Sequence, residues 1–198
     1  MGLCTTAAES LAETVRVAGQ QTRRYPDLIG KAVILAGDRA VLSALAAGFA
    51  ANGALPAVVS PIRAVVDEAV RLATEHQVPT FGVHADPGEP DVWRRAGAQI
   101  EQRVGPIDVV VVAGDAAMRS AAGAALLPDM VARHRGRFVE IDDAVDDRPT
   151  LPGVGCRAIE TGSGTHPTQD DDIVTLALMC ASDTISVDRL TIRLGDPR

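Results

Sequence analysis

The sequence predicts an α/β protein built on a parallel sheet with helices on both faces. Short apolar runs alternate with helix-period segments along most of the chain. The runs, among them AVILAG (32–37) and, after Asp108, VVVVAG within IDVVVVAG (107–114), are apolar at successive positions rather than at every second one. Strands buried on both faces read this way. With 198 residues the chain is long enough for one domain with a sizeable core.

Taken in order, residues 5–24 (TTAAESLAETVRVAGQQTRR) keep Leu11, Val15 and Ala18 at helical spacing. Thr5 or Thr6 caps this helix, Glu9 sits in its first turn, and Pro26 closes it, so 1–28 reads as an N-terminal helical extension. Strand 32–37 leads into a helix over 39–51, ended by the pair Asn52-Gly53. LPAVVS (55–60) is a strand, 62–77 an amphipathic helix, and PTFGVHA (79–85) a third strand. The helix over 89–105 opens on Pro90 and closes on Gly105. After strand 107–114 comes a helix within 120–136, which Pro128 is expected to interrupt, and then the strand RFVEI (137–141). Residues 142–171 are polar and rich in Pro, Gly and Asp, and are expected to form an irregular loop. A helix over 172–182 and an alternating strand over 188–195 complete a single domain, 1–198, of about six strands.

A net charge of −7 argues against nucleic acid and anionic membrane as partners. The one basic cluster, Arg133, His134, Arg135 and Arg137, reads as a solvated helix end. The start lacks a secretory pattern, and no apolar run approaches the length of about 20 residues that spans a bilayer. Cys4, Cys156 and Cys180 have no metal-ligand spacing and read as thiols of a reducing compartment, which makes the cytoplasm the expected location.

Five segments, in order, resemble the short-chain dehydrogenase/reductase family. GKAVILAG resembles the family's first strand and AANGALPAVV the step into its second. GPIDVVVVAG is similar to the fourth strand, which usually ends Asn-Asn-Ala-Gly. LLPDMVARHRGRFVEIDD is similar to the segment that usually ends Gly-Arg-Ile-Val-Asn-Ile-Ser-Ser. PTQDDDIVTLALMCASDTISVDRLTIRLGD resembles the C-terminal helix and last strand. The resemblance covers most of 30–198 and implies a Rossmann-like, doubly wound parallel sheet in three α/β/α layers, with the N-terminal helix as an addition. It also implies a dinucleotide site, and the sequence departs from the family there.

The family's first strand-helix turn carries Gly-x-x-x-Gly-x-Gly, so that backbone and helix N-terminus approach a pyrophosphate closely. Gly37 fits the first position. The next two fall on Val41 and Ser43, or on Ala40 and Leu42 when counted back from Gly53. The family positions carry the remaining candidates for cofactor contact onto Asp38 and Arg39 in the turn. They also map onto Arg63 beyond the second strand, Asp86 beyond the third, and Ala113 and Gly114 at the end of the fourth. Arg63 favours NADP(H) over NAD(H), and the expected cofactor is none, or NADP(H) bound weakly. Asp38 also suits a helix N-cap, Arg63 a solvated helix face and Asp86 a plain turn.

The family's reaction uses a Tyr acid/base, a Lys that lowers its pKa, a Ser and an Asn. This chain has one Tyr, one Lys and one Asn: Tyr25, Lys31 and Asn52, all ahead of the family's positions. Asp142 and Asp143 occupy the Ser region. Between Asp143 and GCRAIETGSGTHP there is no room for the long helix that carries Tyr and Lys, nor for its share of the family's dimer interface. No catalytic residue is therefore assigned. Other chemistry has thin support. DDAVDD (142–147) offers carboxylates for Mg²⁺ or Ca²⁺ but reads as an acidic surface loop. TGSGTH (161–166) could form an anion nest but reads as a loop. Cys156 beside Arg157 has no partner base, and His84, His134 and His166 show no ligand spacing, so no metal site is expected.

The expected function is a catalytically degenerate, supporting subunit. It would form a homo- or hetero-oligomer with a dehydrogenase/reductase-type or other biosynthetic partner. The alternative is a derived enzyme or NADP(H)-binding sensor with altered chemistry in the same crevice.

Overall fold

Among the described residues, seven short segments pair side by side in one sheet, because their apolar residues need cover on both faces. They are β1 (Ala32–Gly37), β2 (Leu55–Ser60), β3 (Phe81–His84), β4 (Ile107–Ala113), β5 (Arg137–Asp142), β6 (Gly155–Glu160) and β7 (Arg189–Arg193). Their order is β3-β2-β1-β4-β5-β6-β7, and every neighbouring pair is parallel. The computed structural model describes residues 25–38, 41–142, 155–160, 167–182 and 189–193. The expected N-terminal helix over 5–24 lies outside the described residues, as do Arg39, Asp143 and most of the acidic and Gly/Ser/Thr-rich loops.

Among the described residues, five α-helices connect the strands: α1 (Val41–Ala51), α2 (Arg63–Thr74), α3 (Pro90–Val104), α4 (Ala116–Ala132) and α5 (Pro167–Ala181). Alternation along the strands divides the core in two. Val33, Leu35, Val109, Val111 and Val139 share one buried cluster with residues of α1, α2 and α5. Ile34, Ala36, Val110, Val112 and Phe138 share the other with residues of α3 and α4, where Trp93 is fully buried. The doubly wound, three-layer reading thus describes the observed architecture.

Local chemistry sets the element ends. Gly53 (φ +76°) and Gly105 (φ +100°) end α1 and α3 in backbone conformations that a side chain disfavours. The Asp115 carboxylate caps α4 by accepting from the Met118 N–H at 2.9 Å. Between β1 and β4 the register shifts at Ala32/Val33, so Asp108 is the extra residue of a bulge. Its carboxylate accepts from the Ala32 N–H at 3.2 Å and pairs with Arg135 at 2.9 Å. Arg133 donates to the Ile107 carbonyl at 3.0 Å. The basic cluster therefore buttresses the start of β4.

The sequence expectation departs from the structure in three places. The stretch read as irregular loop, 142–171, contains β6 and the first turn of α5, which raises the strand number from six to seven. Its strand GCRAIE is short and carries Gly, Arg and Glu, so the apolar-run signal is diluted. Helix α4 begins at Ala116 and runs through Pro128 without interruption. Pro128 frees the carbonyl of Ala124, and both residues are exposed, so water can take that bond. Pro26 opens a 3-10 turn, Pro26–Leu28, leading into β1. No helix among the described residues is long and apolar enough to cross a membrane.

Candidate functional site

In an open α/β sheet the crevice for a ligand lies beyond the C-terminal strand ends, where successive connections leave on opposite faces. Here that point lies between β1 and β4, which lead to α1 on one face and α4 on the other. Gly37 closes β1 in register with Ala113, and Ala113 is in register with Ile141 of β5.

Gly37 has φ +155°, and a Cβ placed there would collide with the Ala113 carbonyl oxygen. The close approach of two strands is therefore enough to require a glycine. Asp38 is exposed at the start of the turn. Val41 is 5% exposed and belongs to the same buried cluster as Ala113 and Ile141. Leu42 is fully buried and Ser43 half-buried. Branched side chains thus pack on the first described turn of α1. A pyrophosphate cradle of the three-glycine kind needs bare backbone there, and the residues present do not fit one.

Arg63 and Asp86 have local partners. Arg63 is exposed and lies 3.7 Å from Asp67, one turn along α2. The Asp86 carboxylate accepts from the Gly88 N–H at 2.8 Å, closing an Asx turn. A Cβ at Gly114 would strike the Met118 sulfur. Asp142 is the last residue of β5, and Asp143 lies outside the described residues. Among the described residues no group of three or more His, Cys, Asp or Glu side chains could hold a metal ion.

Two crevice residues were not singled out from the sequence. Arg119 is 5% exposed and donates from Nη1 to the Gly114 carbonyl at 2.8 Å. Its only signal was its place as the lone charge between Asp115 and Asp129 in α4. Ser60, the last residue of β2, is buried, and its hydroxyl accepts from the Ile62 N–H at 3.2 Å.

Tyr25, Lys31 and Asn52 gather at the opposite end of the sheet. The Tyr25 N–H donates to Asn52 Oδ1 at 2.8 Å, and Asn52 Nδ2 donates to the Gly48 carbonyl at 2.9 Å. Lys31 Nζ lies 3.6 Å from Asp27 Oδ2, while Asp27 Oδ1 accepts from the Ser182 hydroxyl at 2.9 Å. Lys31 immediately precedes β1, and Asn52 lies between α1 and β2, so this network stands at the N-terminal strand ends. The length of the strands separates it from the crevice. Beyond β5, only residues 143–154 separate Asp142 from β6.

No protein-family model matches the chain, and no curated protein matches it in sequence. Solved structures do match in fold. A short-chain type dehydrogenase/reductase from Mycobacterium marinum superposes with a TM-score of 0.70 at 13% identity, over 85% of this chain and 96% of that one. A metagenomic short-chain oxidoreductase, solved in complex with NADP, gives 0.67 at 16% identity, over 86% of this chain and 100% of that one. The 2-keto-3-deoxy-D-gluconate dehydrogenase from Streptococcus agalactiae gives 0.66 at 17%, over 87% and 94%. The fold is therefore the one these dehydrogenases and reductases share. Fold alone does not assign a reaction.

Proposed function

We propose that this chain is a non-catalytic relative of the short-chain dehydrogenase/reductases that supports a catalytic partner. The observation that carries this reading is the position of its only Tyr, Lys and Asn. All three stand at the N-terminal strand ends, bonded into a network that ties down the entry to β1. Proton transfer needs its donor within hydrogen-bond reach of the reacting oxygen, and the crevice lies at the other end of the strands. Two further features agree. The family's second glycine position falls on buried Val41, or its third on buried Leu42 in the other alignment, both in the first described turn of α1. The 143–154 connection is about a dozen residues, close to the minimum for a parallel crossover.

A sensor of NADP(H) is the second reading. Arg119, buried at the mouth of the crevice, is the observation that favours it, because a cation there suits an anionic ligand.

The partner role is tested by co-expression with active short-chain reductases of the source organism. The purified chain alone is expected to give no NAD(P)H-dependent reduction across a panel of ketones and aldehydes. A stable mixed oligomer with raised reductase activity supports the proposal. Turnover by the chain alone at an ordinary enzymatic rate, about 1 s⁻¹ or more, overturns it.

A further inference from the structure

We draw no further inference here: the strongest candidate, the uncharged outer face of α4 at Ala116, Ala117, Ser120, Ala124 and Pro128, is a stripe of small exposed side chains, and nothing in the structure shows what covers it.

Discussion

A methyl group added at Gly37 would meet the Ala113 carbonyl oxygen, and the residue's φ of +155° is one that L side chains rarely adopt. Gly37→Ala should therefore cost about 2–4 kcal/mol in urea unfolding, because the obstacle is backbone and has no rotamer to retreat into. A loss under about 0.5 kcal/mol would mean that strand packing does not require this glycine. Surface charges behave differently. Two hydrogen bonds from Arg71 hold the Glu68 carboxyl below its ordinary pKa. A depressed carboxylate pKa favours the fold above the unfolded-state value, and the benefit fades as pH falls through the folded value. Arg71→Ala should raise the Glu68 pKa toward the ordinary range in an NMR titration. It should change stability at neutral pH little, because both groups are exposed. A Glu68 titration unmoved by the substitution would contradict that assignment.

At the level of elements, legibility followed the strength of the local signal. The bounds of β1 and β2 agree with the sequence reading because AVILAG and LPAVVS are unbroken apolar runs between turn residues. Pro90 and Gly105 marked both ends of α3. Strand β6 was missed because its partners supply what its own residues lack: it is a strand by pairing with β5 and β7 rather than by composition. The uninterrupted α4 was missed because a proline's cost depends on whether the freed carbonyl faces water, which no sequence pattern reveals. The candidate site was legible only as residue types. The spacing predicted side chains where the resemblance expects glycines after Gly37, and put Tyr25, Lys31 and Asn52 ahead of the second strand. It could not show that Val41 packs beneath the crevice, that Arg119 bonds to the Gly114 carbonyl, or that Tyr25 and Asn52 bond to one another. Those contacts span elements that are distant along the chain.

For the whole molecule, the sheet order is that of the dehydrogenases and reductases it superposes on, while Tyr25, Lys31 and Asn52 stand at the N-terminal strand ends, away from the crevice. Conserving a layered sheet needs only apolar runs in the right order. Conserving a reaction needs particular side chains within hydrogen-bond reach of one point. Whether the crevice holds a nicotinamide dinucleotide separates the proposed partner role from the sensor reading. The most direct measurement is a calorimetric titration of the full chain with NADPH, NADP⁺, NADH and NAD⁺. No binding is predicted up to about 1 mM of any of the four. A dissociation constant in the micromolar range, about −8 kcal/mol, would contradict the account and establish a working cofactor site behind Val41 and Arg119.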